Sequence, residues 1–291
     1  MRGVEASRRA VLGGGAALAA MSLVGRGAMA AAKKAAMIAT SRNRKPGIQL
    51  YTIRSEMQKD VPGSLKKMAD VGYKEVEFAG YFGHSPAEIR KMVADLGLTA
   101  PSSHIQGVTF IDDPQQTIDA ALAAGHQWLV LPWVKPELRT TIDQWKTIAD
   151  ICNKFAVHCQ AAGLRFGYHN HDFEFAAIGG VLPYDVLMQS TDPALVQFEL
   201  DMYWAKKGGQ DLVSLMAKHR GRMVMVHVKD MLPNGAMTDV GLGTIPFAEL
   251  LAAPAATPIE HYFVENDDTT TPFESAAISC KALTQILAGL P

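Results

Sequence analysis

The chain has 291 residues, 48% of them hydrophobic and 20% charged, with a formal net charge of −1. These proportions belong to an ordinary folded protein and exclude a disordered or fibrous one. The near-neutral balance, with no basic stripe interleaved with aromatics, offers no field for nucleic acid or an acidic membrane surface. Cys152, Cys159 and Cys280 form an odd set without CxxC spacing, which argues against a disulfide framework and a structural zinc site.

The first thirty residues read as a leader. Arg8-Arg9 precedes an apolar stretch from Ala10 to Val24, and Ala28-Met29-Ala30 gives a small-x-small cleavage site. The stretch is short for a membrane span, so no stable membrane insertion is expected after cleavage. Ser7-Arg8-Arg9 resembles a twin-arginine signal, although Val11 replaces the usual Phe and Gly13 a common Lys, which keeps the general secretory route open. The expected location is periplasmic or secreted. The expected organisation is a signal over 1–30, a tether over 31–45 and one folded domain over 46–291.

From Gly47 onward, short apolar runs alternate with segments of helical spacing. Strand-type runs occur at 47–53, 75–80, 98–105, 128–133, 164–171, 196–204, 223–230 and 261–267. Between them, Leu65, Met68, Ala69 and Val71 mark one helix side, followed by a glycine stop. Ser85 and Pro86 open a second helix that Gly97 ends, and Asp113 and Pro114 open a third that Gly125 ends. A long fourth helix closes on Ala-Ala-Gly. Eight strand–helix repeats predict an α/β protein, a single-domain (β/α)8 TIM barrel, whose doubly buried strands account for the near-continuous apolar runs. A doubly wound open sheet is the runner-up, and it lacks any GxGxxG or GxxxxGK[ST] loop.

In a barrel the chemistry gathers at the C-terminal ends of the strands. Those ends carry Ser102-Ser103-His104, Pro132-Trp133 and His169-Asn170-His171 with Asp172 and Glu174. They continue with Glu199, Asp201, Tyr203 and Trp204, then His227-Val228-Lys229-Asp230, then Glu265-Asn266-Asp267-Asp268. One such Asp or His alone is explained by helix capping or core packing. Four successive strands ending this way are not, because carboxylates crowded on one rim need a compensating cation. Trp133, Trp204 and Tyr51 offer faces for a sugar ring, or for lid packing.

On these residues the chain resembles the xylose isomerase-like sugar isomerase/epimerase superfamily, over residues 46 to about 290. The resemblance implies one divalent metal held by residues of strands five to eight. Asp201 in ELDMYW, His227 in VHVKD and Glu265 in FVEND fall on three of the four ligand positions. On strand five His169 stands where the family has Glu, so either His169 is the ligand or Glu174 reaches back to replace it. Glu174 is the preferred candidate, and a site with three carboxylates suits Mn²⁺, Mg²⁺ or Co²⁺ rather than Zn²⁺.

The resemblance further implies proton abstraction beside a carbonyl, as in a metal-dependent isomerase or epimerase of a small carbohydrate. His169, His171 and Glu265 are the candidate catalytic groups, and His104, Trp204 and Lys229 the candidate substrate contacts. Histidines in place of a carboxylate open a second outcome, a lyase or hydratase of 3-keto-glycosides or keto-inositols acting by β-elimination. A non-catalytic sugar-binding barrel is the reading from another class. An endonuclease of the related abasic-site type would need more metal ligands and a basic face. A homo-oligomer remains open.

Overall fold

The computed structural model describes residues 43–105, 113–256 and 259–291. The proposed leader and residues 31–42 of the tether lie outside the described residues. Eight parallel strands close into a barrel: β1 (Gly47–Gln49), β2 (Glu75–Phe78), β3 (Thr99–His104), β4 (Trp128–Leu131), β5 (Arg165–His169), β6 (Val196–Asp201), β7 (Met223–Val228) and β8 (His261–Val264). Each pairs with the next in sequence and β8 pairs back with β1, so no edge remains. The outer layer comprises α1 (Val61–Val71), α2 (Pro86–Asp95), α3 (Pro114–Ala124) and α4 (Ile142–Ala161). It continues with α5 (Pro183–Ser190), α6 (Leu212–Lys218), α7 (Phe247–Ala252) and α8 (Pro272–Ala288). The expected (β/α)8 barrel is therefore the architecture. Among the described residues no helix is long and apolar enough to cross a membrane.

Local sequence sets the helix ends. Ser85 caps α2 with a reciprocal Ser85–Glu88 box, Asp113 caps α3 by accepting from the Gln116 amide, and Thr141 caps α4 with Gln144. Gly72 and Gly125 end α1 and α3 in the left-handed region, at φ 119° and 84°. The core fills two spaces. The larger lies between barrel and helices. A smaller cluster of Trp128, Val130, Val224, Met225 and Phe263 is separate from it. Gly47 belongs beside this second cluster because a Cβ there would sit 2.6 Å from Phe263 Cδ1 and 2.7 Å from the Tyr262 carbonyl.

All eight strands are shorter than their apolar runs, and three of them turn at once into other structure. The first ends at Gln49, whose side chain accepts from the Tyr51 amide and starts a 3-10 turn over Leu50–Ile53. The sixth ends at Asp201, which caps a short helix over Met202–Lys207. The seventh ends at Val228 and leads into a small hairpin of Asp230–Met231 with Met237–Thr238. At the opposite face, residues 43 and 44 make hydrogen bonds to the barrel domain. Asn43 donates to Glu75 and to the Glu260 carbonyl, and Arg44 donates to the Leu290 carbonyl.

Candidate active site

The barrel interior near the C-terminal strand ends is built from side chains spaced two apart, which strand geometry turns to one face. β2 contributes Glu77, β6 contributes Glu199 and Asp201, β5 contributes His169 and β7 contributes His227. All five are buried. Register brings Gln49, Glu77 and Ser102 side by side on β1, β2 and β3. Gln49 donates to Glu77 Oε2 at 2.8 Å, and the Ser102 hydroxyl donates to Glu77 Oε1 at 2.5 Å.

His227 stands between two sets of carboxylates. Its Nε2 is 2.7 Å from Glu77 Oε2 and 3.1 Å from Glu199 Oε2, and its Nδ1 is 2.8 Å from Glu265 Oε2. Burial pushes its pKa down, but Glu199 and Glu265 outweigh that and hold it well above the usual histidine value. Glu199 Oε2 also receives His104 Nε2 at 2.9 Å and His169 Nδ1 at 3.2 Å. Burial alone would raise Glu199, yet the charge on His227 and the facing imidazoles keep it well below the carboxylate range. Burial and the neighbouring Glu199 raise Glu77. His169 is pushed down to about 3 by burial and by the charge on His227.

Above this layer Lys229 is fully buried, with Nζ 3.1 Å from Asp201 Oδ2, 2.7 Å from Glu265 Oε2 and 2.9 Å from Asp267 Oδ2. Burial disfavours the ammonium, but the three carboxylates raise its pKa well above the normal value, so it is a resident cation. Asp230, the next residue in the chain, turns away. It accepts amide protons from Met231, Gly241, Gly243 and Ile245 and so ties down the loop before α7.

A cavity of about 410 Å³ opens above these groups, lined by Tyr51, Ala79, His104, Pro132, Trp133, His169, His171, Lys229, Glu265 and Asp267. Tyr51 and Trp133 remain 43% and 44% exposed at the cavity, with the Arg54 guanidinium 4.1 Å over the Tyr51 ring and that of Arg139 5.7 Å over Trp133. His171 packs flat on Phe173, with centroids 5.2 Å apart and planes 9° apart, and its Nδ1 has no hydrogen-bond partner. Burial, with His169 and Lys229, holds its pKa well below the usual value, so the ring is neutral near pH 7.

Of the sequence candidates, His104, His169, His171, Lys229 and Glu265 meet in the cavity wall. Asp201 and His227 lie beneath it with ligand atoms clustered on those of Glu265, all three within 4.8 Å of one another. Two candidates are placed elsewhere. Glu174 does not reach back: it accepts the Tyr168 hydroxyl at 2.6 Å and the His171 amide at 2.7 Å. Tyr168 alternates with the inward-facing His169, which keeps Glu174 off the barrel interior. Trp204 backs His171, with centroids 5.4 Å apart, instead of lining the cavity. Glu77 and Gln49 were missed, and Glu199 was noted without a role. The signal for Glu77 was present in EVEF, where Glu75 and Glu77 share one face of a strand buried throughout.

Burial pushes Glu174 up to about 8. Its folded pKa is raised, so this group favours folding most below its unfolded value near 4.5, and the advantage disappears as pH rises through 8. The slope is about 1.4 kcal/mol per pH unit. Denaturant melts at pH 5 to 8 should show this decline in the wild-type protein and its removal in Glu174→Gln. Equal pH slopes for the two proteins would refute the assignment.

The chemistry of the donors fits a divalent cation. Asp201, His227 and Glu265 converge, and Asp201 Oδ2 lies 3.8 Å from His169 Nε2 and 3.1 Å from the Lys229 ammonium. Lys229 already places a positive charge among the same oxygens. Asn170 holds the arrangement by donating to the Asp201 carbonyl and accepting from the Asp201 amide, at 3.2 and 3.1 Å.

The model of the xylose isomerase-like TIM barrel family matches residues 65–271. Two solved structures from Parabacteroides distasonis, both called sugar phosphate isomerase/epimerase, are similar over most of their length. One is 27% identical with a TM-score of 0.74, covering 84% of this chain and 95% of that one. The other is 31% identical with a TM-score of 0.70, covering 81% and 96%. A protein named inosose dehydratase from Geobacillus kaustophilus is 27% identical over 192 residues, 57% of this chain, and the match spans 61% of that protein's length. The barrel, its strand-end residues and these matches agree: the chain belongs to the xylose isomerase-like TIM barrel family.

Proposed function

We propose that the protein is a lyase that removes the proton beside the carbonyl of an uncharged, oxidised carbohydrate and expels the β-oxygen, as in a 3-keto-glycoside or keto-inositol. The observation carrying this reading is the pairing of one neutral imidazole, His171, whose Nδ1 has no hydrogen-bond partner, with a carboxylate, Glu265, whose Oε2 is held by both His227 and Lys229. The two-carboxylate proton shuttle of an epimerase would have to use Glu265 and Asp267, and both are paired with Lys229.

His169, Asp201, His227 and Glu265 are the donors that would hold a divalent ion. With His169 in place of Glu174 the set has two imidazoles and two carboxylates, which moves its preference from Mn²⁺, Mg²⁺ or Co²⁺ toward Zn²⁺. Such an ion supplies Lewis-acid polarisation of the substrate carbonyl. His171 takes the proton from the adjacent carbon, the C–H electrons form the new double bond, and the C–O bond breaks. The imidazolium so formed on His171 then gives its proton to the departing oxygen. Among the described lining residues the lysine, Lys229, is already held by Asp201, Glu265 and Asp267, so the cavity offers no spare lysine or arginine to a phosphate group.

A second reading, isomerisation or epimerisation, is favoured by the names of the two Parabacteroides proteins. Incubation of the metal-loaded protein with 3-keto-glucosides, free ketoses and ketose phosphates distinguishes them. The expected result is aglycone release from the keto-glucosides with no turnover of the phosphates. Proton exchange at C3 of a ketose without bond cleavage would refute the lyase.

A further inference from the structure

Two imidazoles that present one ring nitrogen to Asp201 have the other nitrogen engaged deeper in the barrel. His227 lies 3.9 Å from Asp201 Oδ2 through Nδ1, and His169 lies 3.8 Å from it through Nε2. The opposite nitrogens face Glu77, at 2.7 Å from His227 Nε2, and Glu199, at 3.2 Å from His169 Nδ1. A neutral imidazole has one N–H and one lone pair, so a nitrogen that ligates a cation requires the proton on its partner.

We propose that Glu77 and Glu199 are positioning residues, whose carboxylates keep the N–H on Nε2 of His227 and on Nδ1 of His169, so that the outer ring nitrogens serve as lone pairs to a divalent cation at Asp201 and Glu265, the Nδ1 proton of His227 leaving as the cation enters. The proposal rests on the cation reading above and assigns these two glutamates no contact with substrate. Both carboxylates are fully buried, a cost that packing alone does not call for. Glu77 is itself fixed from below by Gln49 and Ser102. Orientation of ligating histidines by a carboxylate on the far nitrogen is a recurrent device in metal sites.

The rival use of the layer is a second cation site, since ligand atoms of His104, His169, Glu199 and His227 also lie within 4.8 Å of one another. That would oblige His169 and His227 to bridge two ions through both ring nitrogens, each giving up its last proton. The N–H arrangement needs no such loss.

Co²⁺ titration of the metal-stripped full-length protein, read by its visible absorption and by chelator competition, tests the proposal in wild type, Glu77→Gln and Glu199→Gln. Wild type is expected to bind one ion per chain. Each variant should bind 10- to 100-fold more weakly with an altered Co²⁺ spectrum, while its metal-free circular dichroism stays native. Ser102→Ala, which frees Glu77 without removing it, supplies a milder variant that should weaken binding in the same direction. Unchanged affinity and spectrum in the folded variants would overturn the proposal. So would two ions per wild-type chain with one lost in each variant. A wild-type protein that binds no ion would overturn the cation reading itself, and this proposal with it.

Discussion

Asp201→Asn should lower turnover roughly a thousandfold, the rate equivalent of the several kcal/mol of charge stabilisation that a bound cation contributes. The substitution is chosen because Asp201 has two tasks. Its Oδ1 accepts the Trp204 amide at 2.8 Å and caps the helix over Met202–Lys207, and asparagine caps equally well. The variant therefore removes charge from the site while keeping the strand end in place. Stripping the wild-type protein with a chelator should give the same loss, reversed by adding the ion back. Saturating ion should also raise the melting temperature, by about 4 kcal/mol of stability at a thousand times Kd. Full activity after verified metal removal would eliminate the Lewis-acid mechanism.

His171→Phe should cost roughly 100- to 10,000-fold in kcat on the identified substrate, the range expected for loss of a general base. Phenylalanine preserves the ring packing against Phe173 and Trp204 and deletes only the nitrogens. Metal content and affinity should not change, because the His171 ring is outside both groups of clustered ligand atoms. This separates the prediction from the Asp201 one: the first variant loses ion and turnover together, the second loses turnover alone. Retained kcat in His171→Phe would assign the base to another group.

The sequence exposed the barrel because its elements are individually emphatic. Ser85-Pro86, Asp113-Pro114 and the terminal glycines punctuate every early helix, and strands buried on both faces read as apolar runs. It also exposed the rim, since Asp201, His227 and Glu265 interrupt those runs at their C-terminal ends. What it concealed depends on where a side chain goes after its strand stops. Glu174 lies five residues past His169, and only the outward turn of Tyr168 determines that it is captured by that hydroxyl. Trp204 shares a strand-like run with Asp201, but the cap at Asp201 rotates it behind His171. Glu77 was hidden because a glutamate in a short strand also fits solvent exposure, and only closure of the barrel turns it inward beside His227.

Lys229 offsets the crowding of carboxylates on the rim without a bound cation. With an ammonium already seated among Asp201, Glu265 and Asp267, the acidic rim is neutralised in part before any metal arrives. The polypeptide can thus mature first and be charged later, in whichever compartment holds the ion. The same lysine makes loading an exchange: an incoming ion must displace a built-in charge, which penalises weakly held cations and screens the candidates.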